Sequence, residues 1–96
     1  MTQQRRCMVL HKGDDVAVLL EYGQAGDWID AAGTKVALKA AVPKFHKIAL
    51  RAIAAGQTVR KAGEAIGVMT RAVEPGDYVH VHNIKSQREG AADLTA

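Results

Sequence analysis

Apolar residues fall in short bursts along the chain: Cys7–Leu10, Val16–Leu20, Val36–Leu38, Ile48–Leu50 and Val79–Val81. The gaps between them carry Gly, often with Asp or Pro. Brief apolar runs bounded by turn formers predict strands rather than helices. The segment after Pro43 is ambiguous. Phe45, Ile48, Ala49 and Ala52 have helical spacing with Pro at a suitable first position. The same stretch also alternates, with Ile48 and Leu50 inward against Lys47, Ala49 and Arg51, and a turn followed by a strand is the expectation.

A short motif recurs. Ile53-Ala54-Ala55-Gly56-Gln57-Thr58-Val59 and Val73-Glu74-Pro75-Gly76-Asp77-Tyr78-Val79 share an apolar residue, two spacers, Gly, two spacers and Val. Tyr22-Gly23-Gln24-Ala25-Gly26-Asp27-Trp28-Ile29 is a looser copy. Gly at this place suits a turn that needs positive φ, after which the next strand starts. The motif is too short for a solenoid. It fits a mainly β, loop-rich domain with at most one or two short helical turns, spanning residues 7–88 between a flexible N-terminus (1–6) and a flexible C-terminal tail (89–96).

Ninety-six residues make one small domain, which buries only about 60–70% of the surface of its unfolded chain. The apolar content of 48% is built mainly from Ala and Val, with four aromatic residues, so the layers are thin and a deep enclosed active site has little room. Any catalytic contribution is expected to be part of a site that another chain completes. Net charge is +3, unevenly spread: from Lys35 to Arg71 there are eight basic residues and one acid, Glu64. Such a segment attracts anions, although most surface lysines merely solvate a face. Without aromatic residues interleaved to stack bases, small carboxylates are a better match than nucleic acid.

Cys7 stands alone, which excludes an internal disulfide and fits a reducing cytoplasm. Arg5-Arg6 is followed only by the brief Cys7–Leu10 run, too short for an export signal. No apolar stretch approaches the roughly 18 residues of a membrane span. A cytoplasmic, membrane-free protein is expected.

The densest candidate chemistry is Tyr78-Val79-His80-Val81-His82-Asn83, which holds half of the four histidines. On a strand His80 and His82 would share a face while Val79 and Val81 pack inward. Their Cα atoms would then lie roughly 7 Å apart, close enough to converge on a metal ion or an anion. Two imidazoles fall short of the three or more ligands of a metal site, and a hydrogen-bonded pair on an exposed strand is the bland alternative. Asp14-Asp15 reads as a strand-entry turn, and His11 as a surface residue.

Four motifs in order resemble the SAF-type (β-clip, antifreeze-like) domain of the altronate and galactarate dehydratase family. They are His11-Lys12-Gly13-Asp14-Asp15-Val16-Ala17-Val18, His46-Lys47-Ile48-Ala49-Leu50, the stretch from Ile53-Ala54-Ala55-Gly56 to Lys61-Ala62-Gly63-Glu64-Ala65-Ile66-Gly67, and Gly76-Asp77-Tyr78-Val79-His80-Val81-His82-Asn83. Phe45 stands where that family has Gly before the His, and Ala62 where it has Tyr after the Lys. The resemblance implies a small β-clip domain and a lyase: iron-assisted removal of water from a sugar acid, with a much larger catalytic region beside this one. It also implies a small-subunit form similar to the alpha subunit of sulfolactate sulfo-lyase, which releases sulfite.

On that reading His46, His80 and His82 are the candidate catalytic residues, and His80 and His82 also candidate metal ligands shared with a partner subunit. Lys47, Arg51, Lys61 and Asn83 are candidate substrate contacts. The expected cofactor is ferrous iron (Fe2+), held largely by the large subunit. The expected partners are that large catalytic subunit and a small anionic sugar acid or sulfonated hydroxy acid, with a homo-oligomer possible. A non-catalytic sugar-acid-binding or regulatory module is the competing class, because fold does not fix function.

Overall fold

Two short antiparallel strands, β2 (Val16–Leu19) and β5 (Lys47–Ala49), form the spine of the molecule. β1 (Cys7–Met8) adds to the free edge of β2 and β8 (Tyr78–Val79) to that of β5, giving a four-stranded sheet in the order β1-β2-β5-β8. A hairpin of β3 (Trp28–Ala31) and β4 (Thr34–Ala37) flanks this sheet. So does a three-stranded sheet of β6 (Thr58–Lys61), β7 (Glu64–Met69) and β9 (Ile84–Ser86) in the order β6-β7-β9. The structure, a computed structural model, describes residues 2–80 and 82–86. Among these there is no helix, as the broken apolar bursts predict. Val81 and the expected tail over 89–96 lie outside the described residues.

The spine is apolar on both faces, and its two faces feed different cores. Ala17, Leu19 and Ile48 pack with Ile29, Ala31, Val36, Leu38 and Val42. Val16 and Ala49 pack with Ile53, Val59, Met69, Val73 and Val79. A strand buried on both faces reads as a continuous apolar run; all four residues of β2 are buried. Ala49, expected from simple alternation to face outward, is instead fully buried because a second core lies on that side.

One turn is used four times. Its first carbonyl accepts a hydrogen bond from the fourth amide in Gln24–Asp27 (3.0 Å), Pro43–His46 (3.1 Å), Ala54–Gln57 (3.1 Å) and Glu74–Asp77 (3.0 Å). The third residue has positive φ in each: Gly26, Phe45, Gly56 and Gly76 at 92°, 68°, 87° and 92°. That is the pattern of a type II turn, in which glycine is favoured because it lacks a Cβ. At Gly76 a Cβ would also lie 1.9 Å from the Ala37 carbonyl oxygen. The residue before each turn pairs the copies, Gly23 with Val42 and Ile53 with Val73. Three residues after each third position stands a fully buried side chain: Ile29, Ile48, Val59 and Val79. The recurrent motif therefore has a fourth copy, Val42–Ile48, hidden in the sequence because Phe45 occupies the glycine position.

Side chains close these turns. In three copies the fourth side chain accepts from the first backbone N–H: Asp27 from Gln24 (2.9 Å), Gln57 from Ala54 (2.7 Å) and Asp77 from Glu74 (2.7 Å). Elsewhere, Ala32-Gly33 and Ala62-Gly63 both have positive φ at each residue, the type I′ form of two-residue hairpins. Asp14, buried, accepts from the Ala62 and Gly63 amides at 2.8 and 3.0 Å and so fixes the second hairpin. This bears out its reading as a structural turn residue.

The N-terminal segment is bonded to the fold: Asp27 accepts from the Gln3 amide at 3.0 Å and from Arg5 Nε at 2.8 Å, and Gln4 bridges Trp28.

Two outcomes are expected. Ile48→Ala, at a fully buried spine position, should lower unfolding free energy by about 2–5 kcal/mol, measured by urea denaturation. The Asp27 carboxyl, held at about 2 by the Gln24 amide and Arg5 against an ordinary 3.8, ionises more readily folded than unfolded. Its stabilisation is therefore full above pH 3.8 and lost as pH falls through about 2. Asp27→Asn should flatten the acid limb of the stability curve in that window.

Candidate active site

The second turn differs from its three counterparts at the position that matters. Pro43 has no N–H to be capped, so the fourth side chain, His46, is released from the role that Asp27, Gln57 and Asp77 perform. His46 instead reaches across to the neighbouring strand, where its Nδ1 hydrogen-bonds the Tyr78 hydroxyl. The register explains the meeting: Ile48 of β5 lies opposite Tyr78 of β8, and His46 is two residues before Ile48, on the same side.

The histidine dyad is not on a strand. β8 stops at Val79, and the chain turns, because Asn83 takes over the backbone groups that a continuing strand would use. Its Oδ1 accepts from the His80 amide at 2.9 Å, and its Nδ2 donates to the Tyr78 carbonyl at 2.7 Å. The Asn83 amide closes the turn on the His80 carbonyl at 2.9 Å. The expected strand geometry for His80 and His82 is therefore corrected to a turn.

The rings nevertheless gather, around a residue the sequence reading did not single out. His80 stacks on Tyr78 with centroids 5.6 Å apart at 13°. His82 meets the same ring at 5.4 Å. His46 and His80 lie 4.5 Å apart. Tyr78 is the hub, and the signal for it was its place one period-two step before the dyad.

Of the other candidates, Asn83 binds the backbone of Tyr78 and His80, the Lys47 charge acts on His80, and the Lys61 charge acts on Lys47. Lys47 is half-buried, and burial together with the Lys61 charge pulls its ammonium below the ordinary lysine range. Arg51 Nε is instead bound to the buried Asp15 at 2.6 Å, and its guanidinium also donates to the Ala52 carbonyl at 2.9 Å. Asn83 is buried and fully engaged in its turn. Both side chains thus also have structural roles. His80 feels burial first, then the positive neighbours His46, Lys47 and His82, and its imidazolium is displaced below the usual 6.5.

The gathering of three imidazoles round Tyr78, with the Lys47 charge acting on His80, suits an anionic ligand. It also keeps His80 neutral and able to accept a proton near pH 7. Among the described residues no three His, Cys, Asp or Glu side chains are gathered so as to hold a metal ion.

Comparison with known proteins identifies the architecture. The model of the altronate/galactarate dehydratase SAF domain matches residues 5–87. The chain belongs to this SAF-domain family. The (2R)-sulfolactate sulfo-lyase subunit alpha of Paracoccus pantotrophus is 44% identical over 59 residues, covering 62% of this chain and 88% of that subunit. Its counterpart in Chromohalobacter salexigens is 36% identical over 88 residues, covering 83% and 94%. Altronate dehydratase of Bacillus subtilis is 34% identical over 77 residues, which is 80% of this chain but 16% of that enzyme. The SAF domain thus spans a small part of the dehydratase and nearly all of the sulfo-lyase alpha subunits. Among the described residues no helix is long and apolar enough to cross a membrane.

The His80 displacement is measurable. Proton NMR titration should place its midpoint below 6.5, and His46→Ala, by removing one positive neighbour, should raise it. Because the folded value lies below the unfolded one, the folded chain binds this proton less tightly. Stability should rise with pH between the depressed midpoint and 6.5, and level off above it.

Proposed function

We propose that this SAF domain is the small component of a two-component lyase that eliminates water from a sugar acid, with its active site completed by a large catalytic subunit. The observation that carries this reading is the meeting of His46, Tyr78 and His80 beside Lys47, inside a domain whose relatives are lyases or lyase subunits.

Elimination next to a carboxylate needs a base for the α-proton, positive charge against the developing enediolate, and a proton for the departing hydroxide. Lys47 and Lys61 would hold the carboxylate as point charges. His80, kept neutral by its surroundings, is suited to accept the α-proton. His46, with Nδ1 engaged by Tyr78, has Nε2 left to deliver a proton to the hydroxyl that departs as water. His82, on the other contact of Tyr78, would orient the phenol. Iron, expected from the family, would be held largely by the large subunit, with His80 and His82 as the ligands this chain could add, and would supply positive charge against the developing enediolate.

A second leaving group has a specific observation in its favour: the chain spans 88% and 94% of two sulfo-lyase alpha subunits. On that reading the same cationic cluster receives a sulfonated hydroxy acid, and sulfite departs without needing the proton from His46.

The test is reconstitution with the large subunit, defined as the chain from the same organism that matches altronate dehydratase beyond its SAF domain. The complex is assayed on altronate, galactarate and sulfolactate with ferrous ion supplied. Turnover of a sugar acid supports the first reading, and sulfite release supports the second. His46→Ala and His80→Ala should each lower kcat by about 10²–10⁴-fold, with the thermal midpoint of the subunit little changed. Unaltered kcat in both variants would remove these residues from the chemistry.

A further inference from the structure

Phe45 is anomalous in three independent respects. It adopts φ of 68° at the turn position that glycine fills in the other three copies, a conformation unfavourable to a bulky side chain. Its ring is 64% exposed and belongs to neither core cluster. It is also the residue immediately before His46. Strain that no internal packing repays points to a contact outside the chain.

The surroundings define what that contact is. The segments 19–23 and 42–45 run antiparallel, with the Phe45 amide donating to the Leu19 carbonyl at 2.7 Å and Gly23 paired with Val42. Tyr22, 51% exposed, lies on the first segment and Phe45 on the second. Two of the chain's four aromatic residues are thus displayed on one strip. Lys44 places its Nζ 4.8 Å from the centre of the Phe45 ring. Exposed aromatic anchors are characteristic of protein interface centres, where an aromatic ring enters a pocket on the partner, and a lysine beside one suits the polar rim.

We propose that Tyr22, Lys44 and Phe45 form the docking face for the large lyase subunit, Phe45 entering an apolar pocket whose acidic rim meets Lys44. Because Phe45 adjoins His46, seating this anchor brings the partner's surface over the His46–Tyr78–His80 cluster. The inference rests on the two-component reading, and it names the surface by which the two components join.

Phe45→Gly tests it, since glycine is the residue that the equivalent turns already carry and the fold should tolerate it. Binding to the purified large subunit is measured by calorimetry for wild type, Phe45→Gly, Phe45→Tyr and Lys44→Glu, with the thermal midpoint of each free subunit recorded. The expected result is at least a tenfold weaker affinity for Phe45→Gly with an equal or higher midpoint, weaker binding for Lys44→Glu, and near-normal binding for Phe45→Tyr. Undiminished binding by Phe45→Gly would overturn the docking face while leaving the two-component reading intact. A lowered midpoint in Phe45→Gly would show the ring supporting its own fold, and would overturn it too. Failure of the wild-type chain to bind the large subunit would overturn both.

Discussion

The β2–β5 ladder is the constraint on which everything else hangs. Val16 pairs with Ala49, Ala17 with Ile48 and Val18 with Lys47, and both faces of this narrow ribbon are covered by apolar side chains from opposite halves of the chain. A domain of this size has too few large residues for one thick core. It solves the problem with two thin cores sharing a wall, Ala17, Leu19 and Ile48 of the spine serving one lobe and Val16 and Ala49 the other. Loss of the ladder would expose both cores together, which predicts cooperative unfolding of the domain as a unit.

The same economy appears in the turns. Each of the four delivers an apolar side chain to full burial three residues after its positive-φ position. Each of the three ordinary copies is closed by its own fourth side chain. Chemistry enters where one copy is released from that rule. Pro43 removes the donor that would need a cap, His46 replaces the capping residue, and β5 carries the freed imidazole to Tyr78. The site is therefore a modified structural element rather than an appendage to the fold. A rigid turn positions the ring, which is what a catalytic group requires.

How much of this could be read from residues alone depends on whether the signal is local. Short apolar bursts gave away β1, β2, β5 and β8, and the Gly-containing motif gave away three turns. β3, β6 and β7 were less visible because they alternate or carry charge, as in the exposed, buried, exposed order of Thr58, Val59 and Arg60. The fourth turn was invisible because Phe45 stands in the glycine place. The dyad His80 and His82 was rightly linked to a common neighbourhood for a wrong geometric reason: period-two spacing implied a strand, whereas the tertiary hydrogen bonds of Asn83 impose a turn. The partners of Arg51 and Asn83, Asp15 and the backbone of Tyr78 and His80, are distant or hidden in the sequence and appear only in three dimensions.

The distribution of carboxylates argues that the cationic neighbourhood is meant for a ligand. Asp14, Asp15, Asp27 and Asp77 all accept backbone amides within the fold, and Arg5, Arg6 and Arg51 form ion pairs with Glu21, Asp27 and Asp15. These acids hold turns and the N-terminal segment, while the rings of His46, His80 and His82 gather round Tyr78. The proton affinities of Lys47 and His80 are depressed first by burial and then by neighbouring positive charge. An anion entering the cluster would offset that charge, stabilising the bound state by an interaction that the free domain lacks. A partner surface seated against Phe45 would then exclude water and strengthen the same attraction by lowering the local dielectric. Ligand capture and subunit docking would reinforce each other at one edge of the spine.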